Sequence, residues 1–466
     1  MVFSGIPFLY YFLPIVLLIY FAVPQKLKNA ALLAASLVFY AWGEPKYVLL
    51  LIAEIVTGYI SGIMIYRNRG KAASKIWLAA AVIFVVLILC CFKYADFFIE
   101  NFNALTGISL PLLRIALPVG ISFYTFQLLS YVIDIYRGDT PPQKNPVTLA
   151  AYISMFPQLV AGPIVRYSDV RERLEERHTG FDDVGEGAEK FIIGLSKKVL
   201  IANQLAELCE IFRMSQEPSI MFYWMYAVSF TLYIYFDFSG YSDMAIGLGR
   251  IFGFRFKENF NYPYISKSIT EFWRRWHISL GSWFRDYVYI PMGGNRCSKF
   301  RWIINIFAVW CLTGLWHGAQ WTFVVWGLGF AVILSAEKVL LSGVLKKAGP
   351  AAHLYTLLIV VLGFVIFNAA DMGQAVSDIY CMFGGGSLPG VSEEAMYYFK
   401  SYFAVLAIAV VGATPFPSRI MKCIRRSKLY NKIMCIAEPA ALAVLLLLVT
   451  AYLVDGSFNP FLYFRF

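Results

Sequence analysis

The feature that most limits what this chain can fold into is the density of its long apolar runs. They recur at about 8–24, 30–42, 46–66, 76–95, 113–135, 146–165, 190–211, 219–236, 302–317, 321–341, 352–369, 397–413 and 434–454. A hydrocarbon core about 30 Å thick is crossed by roughly 20 helical residues, and most of these runs approach that length. The chain has 466 residues, 59% of them hydrophobic and only 15% charged, where a soluble domain carries about 25% charged residues. No water-soluble core could absorb that excess. The sequence therefore predicts an all-α polytopic membrane protein of about 11 transmembrane helices, with re-entrant and interfacial helices filling the shorter runs. It reads as a single integral membrane domain over 1–466.

Charge placement predicts an orientation. Lys26 and Lys28 follow the first run, Arg67, Arg69, Lys71 and Lys75 the third, and Arg137 and Lys144 the fifth. The alternate connections, Gly43 to Lys46 and the stretch holding Asp96 and Glu100, are poor in cations. Basic loops stay in the cytoplasm, so the N-terminus is expected outside. The basic stretch Arg419 to Lys432 is expected inside, which places the C-terminus outside. Phe8 to Val23 lacks a basic n-region and a small-residue cleavage site and is expected to remain as the first span.

The net charge of +11 is read first as topology and lipid contact, and no basic stretch sits in a soluble nucleic-acid-binding module. The eight cysteines, Cys90, Cys91, Cys209, Cys297, Cys311, Cys381, Cys423 and Cys435, form no CxxC pair and read as buried thiols. No HExxH or carboxylate cluster points to a metal. No fixed-period repeat is visible, which weighs against an inverted-repeat transporter. The polar stretch Arg166 to Lys190 reads as a solvated loop or surface helix.

Chemistry concentrates between Glu271 and Gln320. Residues 255–301 hold nine Lys or Arg and three Asp or Glu, a net +6 within the overall +11. On one continuous helix Trp273, His277, Leu280 and Phe284 share a face, with Arg274 and Arg285 on another. Such a helix is too charged to span and is expected at the cytoplasmic interface. Two readings stand: a helix snorkelling onto anionic lipid, or a cationic rim for an anionic donor such as coenzyme A or a phosphopantetheine arm. His317 closes an apolar run before Gly318-Ala319-Gln320. An ionisable side chain at that depth marks a cavity, and an imidazole there can take a proton from a hydroxyl. The alternative is a histidine that hydrogen-bonds two helices. His277, between tryptophans in a basic stretch, reads by itself as an interfacial residue.

Other motifs are structural first. Asp237 and Asp243 flank Ser239 in an apolar setting and need partners, for which Lys197 and Lys198 are the candidates. The glycines 247, 249 and 253 have the wrong spacing for a dinucleotide fingerprint and suit close helix packing. Pro157, Gly162 and Pro163 break one span near Gln158, and Pro118 and Gly120 break another. Such breaks either line a tunnel or simply kink a helix.

Taken together, Pro118 to Arg137, Phe156 to Tyr167, Tyr235 to Asp243, Asn259 to Tyr264, Phe272 to Arg296, Leu312 to Trp321 and the closing Asn459 to Phe466 resemble a bacterial membrane-bound O-acyltransferase. The likeness is to the alginate O-acetylation type, related to the D-alanyl transfer protein of teichoic acid modification. It implies a ring of helices around a central tunnel, with the catalytic core at about 113–341. His317 is implied as the catalytic histidine. His277 is implied as the second polar position, held by His or Asn in relatives, either stabilising the oxyanion or positioning the donor. Arg274, Arg275, Arg285, Arg296, Trp276 and Asn295 are candidates for the donor, and Pro163, Gln158, Asp237 and Ser239 for the tunnel.

The resemblance implies no bound cofactor. The acyl donor is acetyl-coenzyme A or an acyl carrier protein thioester on the cytoplasmic side. The acyl group, acetyl first, goes to a cell-surface or exported polysaccharide hydroxyl, directly or through a secreted or periplasmic SGNH-type partner. D-alanyl transfer to teichoic acid and a polysaccharide-precursor transporter are the alternatives, and a structural scaffold for polymer export is a third class. The expected location is the bacterial cytoplasmic membrane.

Overall fold

The computed structural model describes residues 2–425, 430–456 and 459–460, and every regular element among them is helical. The last six residues of the closing motif lie outside the described residues. Six helices are long and apolar enough to cross a membrane: Val48–Arg67, Ala72–Lys93, Trp321–Lys347, Pro350–Asn368, Glu393–Gly412 and Ile436–Asp455. The chain is thus a multi-pass membrane protein. Several of the remaining runs form shorter or interrupted helices. The run 113–135 is helical only from Ile121, because Gly120 turns the chain in a left-handed conformation (φ +76°). The chain divides into two compact units, Met1–Phe191 with Met244–Lys257, and Ile192–Asp243 with Glu258–Phe466.

In the first unit, Val48–Arg67 packs tightly on Ile121–Arg137. Gly58 and Gly62 allow it: a Cβ there would stand 3.1 Å from Leu128 and 3.0 Å from Tyr131. The fully buried Glu54 on the same helix accepts from the Thr125 hydroxyl at 3.3 Å, consistent with the need to partner an acid at this depth. The two proline-glycine breaks meet. A Cβ on Gly120 would lie 2.4 Å from the carbonyl oxygen of Leu159, so only glycine fits there. Gly247 does what its sequence suggested: a Cβ would fall 2.5 Å from the Gly187 carbonyl oxygen.

The polar stretch after Arg166 departs from expectation. Tyr167–Glu175 is a short helix, but Arg177 beyond it is only 2% exposed. Its guanidinium donates to the Tyr20 hydroxyl (2.8 Å) and Asn29 Oδ1 (2.6 Å) and lies 4.6 Å from the centre of the Phe254 ring. A planar cation with aromatic and oxygen partners can be buried where a lone charge could not.

In the second unit, Lys197 pairs with Asp243 (2.6 Å) and Lys198 with Asp237 (2.5 Å). The acids found the partners that their neighbouring sequence offered. A π-helical turn, Lys197–Ala202, presents both lysines, and Lys198 also donates to the carbonyl of Pro460.

The stretch after Ser268 corrects the reading of one continuous amphipathic helix. Two seven-residue helices form instead, Ile269–Arg275 and Ile278–Phe284, followed by a π-turn Arg285–Tyr289. Trp276 is extended and His277 is left-handed (φ +44°). The first helix is capped by Ser268, which accepts from Glu271 N–H, while Glu271 accepts from the N–H of Lys267, one residue before the cap. Buried Glu337 adds a distant cap, accepting from the N–H groups of Ile269 (2.6 Å) and Thr270 (2.9 Å).

Candidate active site

A cavity of about 1080 Å³ opens within the second unit. Its lining runs from exposed cations, Lys267, Arg274, Arg285, Lys338 and Lys346, to buried Trp276, His277 and His317. The exposed cations define the mouth and the two imidazoles the inner end. Most of the cavity's wall surface is apolar, as in small-molecule sites, although about half of its lining residues carry polar or charged side chains.

His317 ends the helix Lys299–His317 and is 8% exposed. Its ring meets Trp316, Trp326 and Phe367 edge to face, with centroids 5.0, 5.3 and 5.2 Å away. Glycines make this possible. A Cβ on Gly314 would lie 2.3 Å from the Phe323 carbonyl oxygen, and one on Gly327 2.3 Å from that of Trp310. Helices Lys299–His317 and Trp321–Ala336 therefore run in backbone contact, fixing the imidazole at their junction.

His277 is 3% exposed and rests on Phe238 (4.7 Å) and Trp316 (5.7 Å). The Trp316 indole thus touches both imidazoles. Nδ1 of His277 lies 3.2 Å from Asn259 Oδ1. Burial lowers its pKa from 6.5 to about 3, so the ring is neutral.

The other candidate residues separate. Arg274, Arg285, Trp276 and Asn295 line the cavity with the two histidines. Arg285 is bound to Asp286 (2.6 Å), and Asn295 accepts from Tyr289 and Lys338, both at 2.8 Å. Arg274, like Lys267 and Lys346, has no side-chain hydrogen bond or ion pair among the described residues, and of these three it alone carries the planar fork that suits a phosphate. Arg275 pairs with Glu271 (2.8 Å); neither it nor Arg296 is among the lining residues. Asp237 and Ser239 are buried in the same unit away from the cavity lining. Gln158, in the first unit, is fully buried and donates to the Tyr152 carbonyl (2.7 Å), and Pro163 lies in the same broken segment. Trp316, Asn259, Lys338 and Glu337 were not singled out by sequence. Of these, Asn259 and Trp316 stood in family-like stretches, without a role.

A helical membrane protein with two buried imidazoles at the base of a cation-rimmed cavity is a candidate for group transfer inside the bilayer boundary. The profile of the membrane-bound O-acyltransferase family matches residues 143–368. The chain is 39% identical to the "Probable alginate O-acetylase" of Azotobacter vinelandii over 500 aligned residues, all of both chains. It is 35% identical to the peptidoglycan O-acetyltransferase of Helicobacter pylori, over 83% of this chain and 81% of that one. It is 31% identical to the teichoic acid D-alanyltransferase of Bacillus subtilis, over 59% and 71%. The chain belongs to the membrane-bound O-acyltransferase family, and it is an O-acyltransferase.

Proposed function

We propose that this enzyme moves an acetyl group from a thioester donor on the cytoplasmic side to a hydroxyl of a cell-surface or exported polysaccharide. Delivery is direct or through an extracytoplasmic SGNH-type partner, and the enzyme resides in the bacterial cytoplasmic membrane. The observation that carries the reading is the cavity itself, whose mouth is cationic and whose inner end holds His317 and His277. Relatives named for O-acetylation of alginate and of peptidoglycan favour acetyl and a polysaccharide.

In this reading the donor, acetyl-coenzyme A or an acyl carrier protein thioester, sets its phosphate against the mouth, with Arg274 as the main contact. His317 takes the proton of the attacking hydroxyl as the C–O bond forms. The tetrahedral intermediate then expels the thiol by C–S cleavage, and the proton on His317 passes to the leaving sulfur. Positioned proton transfer contributes roughly 10²–10⁴-fold, and orientation along the cavity contributes much of the rest.

The test is base-labile acetate on surface polysaccharide of cells making the full chain. His317→Ala should abolish it at equal membrane abundance. Retention of acetate by that variant would remove the base role and the reading with it.

A further inference from the structure

Asn259 is fully buried, 18 residues before His277, and its side chain does two jobs. His277 stands at the cap position of the helix Ile278–Phe284, but its own side chain makes no cap. Asn259 Oδ1 supplies one from a distance: it accepts from the Ser279 N–H (3.1 Å) and the Ser279 hydroxyl (2.9 Å). The Asn259 carbonyl accepts from Ile278 N–H at 2.9 Å, so the two segments are tied at adjacent atoms.

The cap fixes the amide's orientation. A backbone N–H can only donate, so the atom facing Ser279 must be oxygen; reversing the amide would oppose two donors. His277 Nδ1 lies 3.2 Å from that same oxygen and must therefore carry a hydrogen. In the neutral ring the hydrogen on Nδ1 leaves Nε2 with its lone pair. Nε2 is buried and meets no hydrogen-bonding atom among the described residues, while the residue lines the cavity.

We propose that Asn259 is a positioning residue that holds His277 in the Nδ1–H form, so that Nε2 accepts a hydrogen bond from an N–H or O–H of the substrate. An imidazole held this way cannot give a hydrogen bond to a developing oxyanion. Of the two roles open to His277, oxyanion stabilisation and substrate positioning, only the second fits. The inference rests on the acetyl-transfer reading of the cavity.

The test is a double-mutant cycle on polysaccharide acetate at equal membrane abundance. Asn259→Ala should lower it on the order of 10- to 100-fold, by analogy with the cost of losing a partner that orients a metal-bound histidine. On a His277→Ala background the same change should add nothing. A purely structural cap would act whatever stands at 277, so losses that multiply overturn the proposal. Asn259→Asp keeps an acceptor oxygen for both N–H groups and should retain most of the acetate; a roughly 10-fold or greater loss in an Asp variant that accumulates like the wild type overturns it too, and this reading needs no Ala variant. Titrating acetyl-coenzyme A in inverted vesicles assigns the contact: with Asn259→Ala, a raised KM places it on the donor's arm, a lowered kcat at constant KM on the acceptor hydroxyl, and no change in either overturns it. Should Asn259→Ala keep full acetate while His317→Ala has none, the positioning role fails and the acetyl-transfer reading survives. Should His317→Ala keep acetate, that reading fails first.

Discussion

Trp316 is the residue through which a change at one histidine reaches the other, since its indole contacts both rings. Trp316→Ala opens space against both and should lower acetate transfer, while Trp316→Phe, which keeps an aromatic edge, should lower it less; polymer acetate at matched membrane abundance reads the order. His277 makes a separate prediction about stability. The unfolded chain protonates it below about 6.5, the folded protein only near 3. Between those values the unfolded state holds more protons, so stability is full above about 6.5 and declines as pH falls toward 3. Thermal unfolding of the purified protein from pH 7.5 to pH 5 should therefore fall less steeply for His277→Gln than for the wild type. Equal slopes would mean that the ring binds its proton equally in the folded and unfolded states.

At the scale of elements, two contacts hold the site's scaffold. Gly314→Ala or Gly327→Ala would drive a methyl into a carbonyl on the opposing helix. Overpacking of this kind costs about 1–3 kcal/mol, and because the helix pair ends at His317 the variants should lose activity as well as thermal stability. The buried pair Lys198–Asp237 behaves differently. Asp237→Ala leaves the buried ammonium without this counter-charge and should cost up to about 3–5 kcal/mol, whereas Lys198→Met with Asp237→Leu should recover most of it; midpoints of thermal unfolding in detergent compare the three. These ion pairs were legible in the sequence, because an acid in an apolar run must find a cation and two lysines stood on the neighbouring run. The break at His277 was not. Trp273, His277, Leu280 and Phe284 keep helical spacing, and what breaks the helix is a hydrogen-bond network reaching back to Asn259, which no local pattern contains. Arg177 was hidden for a like reason: its partners Tyr20 and Asn29 lie about 150 residues upstream.

At the scale of the whole molecule, the apolar runs announced a membrane protein and His317 announced its cavity. Among the described residues six helices meet the length and apolarity of a span, while several other runs are broken by glycine, proline or left-handed turns whose tertiary partners only the fold reveals. The proposed route of the donor requires the cavity mouth to face the cytoplasm. A cysteine introduced at Arg274, in a background lacking the native cysteines, should react with a membrane-impermeant maleimide in inverted vesicles and not in right-side-out ones. Labelling only from outside would reverse the donor's side. Raising salt should raise the KM for acetyl-coenzyme A, and Arg274→Glu should both raise that KM and flatten its salt dependence; a KM indifferent to both would remove the cationic mouth from donor binding.

The contact between Lys198 and Pro460 spans 262 residues of chain. Both the lysine and its acid are synthesised long before that carbonyl exists. The contact with Pro460 can form only after the final helices have been synthesised. The second unit therefore has a late-closing step in its biogenesis, at which a product cut short before Pro460 is recognisable by an unfinished buried cation.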